Sequence, residues 1–363
     1  MAKMAKSKDS LTTVVSESLK KSFNIDAFKK SKFLDQSVKF KPQRWIPLSK
    51  AFQDVLSIPG IPMGHITLLR GHSDTGKTTA MLEAAVSAQK MGVLPVFIIT
   101  EMKWNWEHAV QMGFELTSVA DPETGEVIDY KGFFLYVDRG SLNTIEDVGA
   151  FVADLLSEQA AGKLPFDLLF LWDSVGSIPC RLSVESNKNN NEWNAGAMSQ
   201  TFGNFINQKI ILSRKENQPY TNTFVAVNKV WVAKPNSPME QPKLKNKGGD
   251  TMFFDSSFVI TFGNVSNSGT SKIKATKDGK DVEFAKRTKI SADKNHVTGV
   301  QTKGTVTMTV HGFIPDDKKA IDTYKKDHSH EWLQILGSAD FDIVEEDEME
   351  ENFKEINLVD VQE

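Results

Sequence analysis

The chain has 363 residues, 40% of them hydrophobic and 25% charged, with a formal net charge of −4. That length holds one large domain with appendages or two ordinary ones, and the composition is that of a soluble globular protein with a sizeable core. No run of 18 apolar residues offers a membrane span, no apolar signal segment opens the sequence, and the single Cys180 excludes an intramolecular disulfide framework and a thiolate zinc site, so a cytoplasmic location is expected.

Residues 1–44 carry eleven Lys or Arg against four acids, and within them Leu11, Val14, Val15, Leu19 and Phe23 recur at helical spacing. This predicts an amphipathic helix in a basic arm over residues 11–33. Six apolar runs follow: HITLLR, VLPVFIIT, FFLYVD, FDLLFLWD, TFVAVNKV and SSFVITFG. Near-continuous apolar runs indicate strands buried on both faces, hence an α/β fold with a mostly parallel central sheet covered by helices. Residues 120–132 read as a small hairpin insertion. Two long polar stretches, 178–197 and 231–252, interrupt the core and are expected to be functional loops. Residues 340–363 hold eleven acids against Lys354, an acidic tail of net −10.

The stretch GHSDTGKTT at 71–79 carries the most specific signal. Gly71, four residues, then Gly76, Lys77 and Thr78 is the spacing of a phosphate-binding loop, in which backbone N–H groups curl around a phosphate chain. A strand-like run precedes it and the helix-forming TAMLEAAVSAQK follows, as the motif requires. Gly71, His72, Ser73, Asp74, Thr75, Gly76, Lys77, Thr78 and Thr79 are therefore expected to hold a nucleotide, with Lys77 reaching the β and γ phosphates and the Thr78 hydroxyl on Mg²⁺.

Asp173 ends the run FDLLFLWD, at a strand tip where open α/β sheets bind ligands, and would complete the Mg²⁺ site with Thr78. Glu101 follows the run VFIIT, also at a strand tip. A carboxylate there can activate or orient an attacking water.

In order, IPMG, GHSDTGKTT, Glu101, LLFLWDS, AMSQ at 197–200, VAVNK at 225–229 and KGGD at 247–250 resemble the RecA-type recombinases. KSKFLDQ near the start and KNH at 294–296 make the phage UvsX-like branch the nearest. The resemblance covers roughly residues 28–315. It implies a RecA-like P-loop ATPase core at 49–315, an N-terminal helical docking arm used in oligomerisation at 1–48, and a small C-terminal segment with the acidic tail at 316–363.

The activity so implied is ATP- and Mg²⁺-dependent DNA strand exchange by a helical homo-oligomeric filament on single-stranded DNA, with hydrolysis stimulated by DNA. It would serve recombination, repair and recombination-dependent phage replication. Partners would be single- and double-stranded DNA, loader or mediator proteins and single-strand-binding proteins, and no membrane. Glu101 matches the catalytic glutamate, and Asp173 with Ser174 the metal-side strand end. Lys229 falls where relatives sense γ-phosphate with Gln or His, and His108 where they place a ring on adenine, with Trp104 and Trp106 competing for that place. Lys294 and His296 match a segment that reaches a neighbour's γ-phosphate in trans.

The two polar stretches then become DNA-binding loops. The first offers Arg181, Lys188 and Trp193. The second offers Lys234, Met239, Lys243, Lys245, Lys247, Gly248 and Gly249, and its four lysines imply a salt slope of about −3 on single strands. Two other readings remain open: a RecA-like ring-forming motor such as a helicase, and a nucleotide-gated filament that only coats DNA.

Overall fold

Apolar runs without a polar face become strands that are covered on both sides, a rule that the edge strand Leu135–Asp138, with Tyr136 and Asp138 exposed, does not share with the other five central strands. In the computed structural model, which describes residues 40–181, 184, 191–233, 243–265, 271–277 and 280–331, the six central strands are β3 (Ile66–Gly71), β4 (Leu94–Ile99), β7 (Leu135–Asp138), β8 (Leu168–Val175), β9 (Thr223–Ala233) and β11 (Phe258–Asn264). They lie in the order β11-β3-β9-β8-β4-β7 with every pairing between them parallel. The fold is thus α/β with a mostly parallel central sheet flanked by helices.

Side chains alternate between two apolar layers, as the period of two demands. Leu69, Phe97, Ile99, Leu169, Leu171, Val225 and Val227 face one layer, built with Phe52 of α1 (Lys50–Leu56) and Met81, Leu82 and Ala85 of α2 (Lys77–Lys90). Ile66, Leu68, Val96, Ile98, Phe170, Trp172, Phe224 and Ala226 face the other. There they meet Ile145, Val148 and Val152 of α4 (Ile145–Ala160), Met198 of α5 (Asn191–Thr201), Phe202 and Ile206 of a π-helical turn (Phe202–Asn207), and Ile210 of α6 (Gln208–Leu212). Gly149 lets α4 and α5 come close, since a Cβ there would stand 2.6 Å from Thr201 Cγ2. Short α3 (Trp106–Gln111) follows β4.

Beyond β11 the sheet turns antiparallel. The order continues through β13 (Lys280–Asn295), β14 (Lys303–Thr309) and β15 (Gly312–Pro315), and β12 (Lys272–Lys277) pairs with β13. Ile273, Ala275, Phe284 and Ala285 of this wing pack on Ile321 and Tyr324 of α8 (Lys318–Asp327). A hairpin of β5 (Thr117–Ala120) and β6 (Val127–Lys131) sits where an insertion was expected, starting three residues earlier. β1 (Trp45–Pro47) and β2 (Gly60–Pro62) form a separate two-stranded sheet.

One expectation is corrected. The polar stretch 231–252 is not a loop throughout: β9 runs on to Ala233, β10 (Lys243–Asn246) pairs back on it antiparallel, and α7 (Thr251–Asp255) follows. Leu244 pairs with Val232 and Lys245 with Trp231, a strand pairing that the lysines obscure in the sequence. The chain divides into two units, Met1–Lys41 with Lys215–Asn217, and Pro42–Arg214 with Gln218–Glu363. The sheet belongs to the second. The helix expected over 11–33, the side chain of Trp193, and Lys188, Lys234, Met239 and the acidic residues 340–363 lie outside the described residues.

Candidate active site

The loop after β3 closes on itself. Thr75 Oγ1 donates to the His72 carbonyl at 2.8 Å, and the Lys77 ammonium donates to the same oxygen. Asp74 and Gly76 both take left-handed backbone conformations, at φ 57° and 92°. At Gly76 glycine is also required by space, because a Cβ would meet Phe313 Cζ at 2.6 Å. Helices α3, α4 and α8 are capped by the side chains of Asn105, Thr144 and Asp317, whereas α2 starts on Gly76 with no side-chain cap. The first amides of α2 thereby stay available to an anion, helped by the helix dipole.

Thr78 Oγ1 donates to Asp173 Oδ2 at 2.6 Å, joining α2 to β8. Burial pushes the Asp173 carboxyl up to about 6, against the opposing hydrogen bond from Thr78. Lys77 is pulled down to about 8, first by burial, with Asp173 opposing and Lys229 adding to the fall. A buried carboxylate and a buried ammonium that are both costly to ionise are what a divalent cation and a phosphate chain would relieve. The residues present therefore fit Mg²⁺ and a nucleotide triphosphate.

Glu101 stands just past β4, two residues after Ile99. Its carboxylate accepts a hydrogen bond from the Ser174 hydroxyl and lies 2.9 Å from Lys229 Nζ. Burial alone would raise its pKa, but the Ser174 hydroxyl and the Lys229 ammonium outweigh it and hold the group below the ordinary carboxylate value. The strand tip is braced beneath: the Thr100 amide donates to the Asp173 carbonyl at 2.8 Å, and Trp172 Nε1 donates to Thr100 Oγ1 at 3.0 Å.

These groups share one cavity of about 300 Å³, lined by Ser73, Asp74, Lys77, Thr78, Glu101, Asp173 and Lys229, with Ile99, Lys103, Trp104 and Val227. It opens at the carboxyl ends of β3, β4, β8 and β9. Gly71 ends β3 beneath the loop, and Thr79 is buried against Met308. His108 does not line the cavity; it is half-buried on α3, bonded to the Val310 carbonyl, and burial lowers its pKa. Trp104 does line it, and both Trp104 and Trp106 pack on Phe97, at 5.1 and 5.5 Å between ring centroids.

The hairpin of β9 and β10 is tied to the site through Lys229. The Lys247 amide donates to the Lys229 carbonyl at 2.9 Å, and Asn228 Nδ2 donates to the Lys247 carbonyl at 3.1 Å. Lys245 and Lys247 are exposed, Lys243 begins β10, and Gly248 and Gly249 turn the chain toward α7. At the first polar stretch the Arg181 guanidinium lies 3.2 Å from Asp147, and Trp193 falls in α5. Lys294, near the end of the long strand β13, donates to the carbonyls of Phe253 at 3.1 Å and Phe254 at 2.7 Å in α7. His296 is exposed, and neither it nor Lys294 lines the cavity.

Sequence reasoning did not anticipate the Lys229–Glu101 ion pair, because 128 positions separate the partners and only the parallel sheet brings them together. Lys103 was also missed; its signal was a cation two residues past a strand-tip acid.

Comparison with known proteins agrees with this geometry. Residues 18–152 match the RecA N-terminal domain family. The chain is 29% identical over 153 residues to protein RecA of Paenarthrobacter aurescens strain TC1, covering 39% of this chain and 43% of that one. It is 32% identical over 153 residues to protein RecA of Arthrobacter sp. strain FB24, covering 39% and 42%. Protein RecA of Kineococcus radiotolerans is 36% identical over 88 residues, 23% of this chain and 25% of that one. The chain thus spans less than half the length of each of these three relatives, and over that part the matches support a RecA-type protein.

Proposed function

We propose that this chain is a DNA-dependent ATPase of the recombinase type, assembling on single-stranded DNA with ATP and Mg²⁺ and exchanging strands with duplex DNA. The phage UvsX-like branch and the cytoplasm of a host cell are part of the same reading. The observation that carries it is the meeting of Lys77, Thr78, Asp173, Glu101 and Lys229 in one cavity whose wall, β9, continues into a lysine-bearing hairpin. No helix among the described residues is long and apolar enough to cross a membrane.

In this reading the loop amides and Lys77 bind the phosphate chain. Thr78 and Asp173 hold Mg²⁺, which would neutralise phosphate charge when bound. Glu101 stays ionised and orients or deprotonates the attacking water, with Ser174 and Lys229 fixing its carboxylate. Movement of Lys229 toward or away from Glu101 would be felt by Lys247 through the shared backbone hydrogen bond, which gives DNA on the hairpin a physical route to the catalytic carboxylate. Trp104 offers an aromatic side chain in the cavity it shares with the phosphate loop. Lys294 and His296 would serve a neighbouring subunit.

Electron microscopy joined to ATPase assays, with and without single-stranded DNA, tests the proposal. Open helical filaments and hydrolysis stimulated by DNA are expected. Closed hexamers would favour a ring motor, and filaments without stimulated hydrolysis a DNA coat.

A further inference from the structure

At the far side of the antiparallel wing, three side chains from two segments converge. His311 occupies the tight turn between β14 and β15, His328 caps the end of α8, and Glu331 follows three residues later. His311 Nε2 lies 3.3 Å from Glu331 Oε1, His328 Nδ1 lies 3.1 Å from the same oxygen, and the donor atoms of all three fall within 4.8 Å of one another. All three residues are partly buried. We propose that His311, His328 and Glu331 form a binding site for a divalent transition-metal ion, Zn²⁺ in the first instance.

His328 Nδ1 and Glu331 Oε1 are at hydrogen-bond distance, and the same spacing suits a shared metal ion. With zinc–ligand distances of about 2.0–2.1 Å and tetrahedral angles, neighbouring donor atoms stand roughly 3.3 Å apart. Two of the three edges here already have that length. Two imidazoles and one carboxylate are also a donor set that zinc takes when it keeps one position open to water. His311 Nδ1 is bonded to the Tyr324 hydroxyl at 2.9 Å, so the other ring nitrogen is the one aimed at Glu331. Such an outer partner fixes the tautomer of a metal-ligating histidine. Exposed His330, with Nε2 3.9 Å from Glu331 Oε1, could supply the fourth ligand in place of water.

A bound ion would pin the end of α8 to the β14–β15 turn. The neighbouring Val310 carbonyl holds His108, on the helix that follows Glu101. The assignment is independent of the nucleotide-site reading.

The test uses the untagged full chain, stripped with a chelator and kept in excess Mg²⁺ so that carboxylates at the nucleotide site do not compete. Calorimetric titration with ZnCl₂ should give one ion per chain. His311→Ala and Glu331→Gln should each weaken binding by at least about tenfold, while His330→Ala weakens it less. Matching thermal melts of the metal-free proteins exclude misfolding. Cobalt(II) on the parent chain needs no variant and should give the intense visible bands of four-coordinate Co²⁺. Absence of stoichiometric zinc binding, equal affinity in His311→Ala and Glu331→Gln, or only the weak spectrum of six-coordinate cobalt would overturn the proposal.

Discussion

Lys229 Nζ lies 2.9 Å from Glu101 Oε1, joining the middle of β9 to the residue just past β4 across the candidate active site. Below Lys229, its carbonyl accepts the Lys247 amide, so the cation that steadies the proposed base also anchors the lysine hairpin. On the proposed reading the contact would serve both hydrolysis and its response to DNA. Lys229→Met should raise the pKa of Glu101, because the ammonium is one of the groups holding it down. Hydrolysis needs the ionised carboxylate and falls as pH drops through its pKa, so the acid limb of the pH–rate profile should move to higher pH. Stimulation by DNA should fall as well. An unmoved acid limb would show that Lys229 does not tune Glu101.

In the proposed function Lys77 and Glu101 divide the labour between binding and chemistry. Lys77→Ala should lose ATP binding, since the phosphate chain loses its main point charge. Glu101→Gln should keep nucleotide and DNA bound while hydrolysis falls by about 10² to 10⁴, the usual worth of a positioned base. Fluorescent-nucleotide binding beside a phosphate-release assay separates the two. Parent-rate hydrolysis by Glu101→Gln would remove it from the base role.

Burial lifts the Asp173 carboxyl in the folded chain to about 6, above the ordinary aspartate value of 3.8. Without metal, the folded state binds more protons than the unfolded one between these values. Stability is then greatest below about 3.8, declines as pH rises to about 6, and is flat above. Asp173→Asn removes that cost and should stabilise the metal-free protein at pH 7.5 by up to about 3 kcal/mol. The same change should abolish the Mg²⁺-dependent rise in melting temperature with ATP. Urea denaturation at pH 4 and pH 7.5 checks the sign: the gain should be small at the lower pH. A variant less stable at pH 7.5 would contradict the buried-charge account.

Much of this architecture could be read from the residues, and the reason is burial on both faces. Strands such as LLFLWDSV have no polar side and stand out from the helices around them. The phosphate loop was equally visible because its chemistry is local. β13, reading KDVEFAKRTKISADKN, escaped notice since Val282 and Phe284 alternate with Asp281 and Glu283 in a wing with thinner cover. β10 escaped because four residues of KLKN read as a charged loop. The partnership of Lys229 with Glu101 and the gathering of His311 with His328 and Glu331 arise from tertiary proximity, which no spacing encodes.

Lys294 supplies a test of shared sites. The proposal has it act on a neighbour's nucleotide, although within its own chain it holds the Phe253 and Phe254 carbonyls. Lys294→Ala and Lys77→Ala should each be nearly inactive as DNA-dependent ATPases. Mixed at equal amounts, random head-to-tail assembly pairs intact Lys77 with intact Lys294 at about one junction in four, and partial activity should return. Thermal melts must first match the parent, so that loss of the α7 contacts is not the cause. A mixture as dead as its components, with co-assembly seen by microscopy, would place the whole site in one chain.

Joint-molecule formation tests the central claim most directly. A labelled single strand is incubated with the protein, ATP and Mg²⁺, then offered homologous or heterologous duplex. The account expects joint molecules with homologous duplex alone, lost without ATP and lost in Lys77→Ala. Absence of joint molecules while the protein unwinds duplex DNA or hydrolyses ATP on it would contradict strand exchange and identify a motor instead.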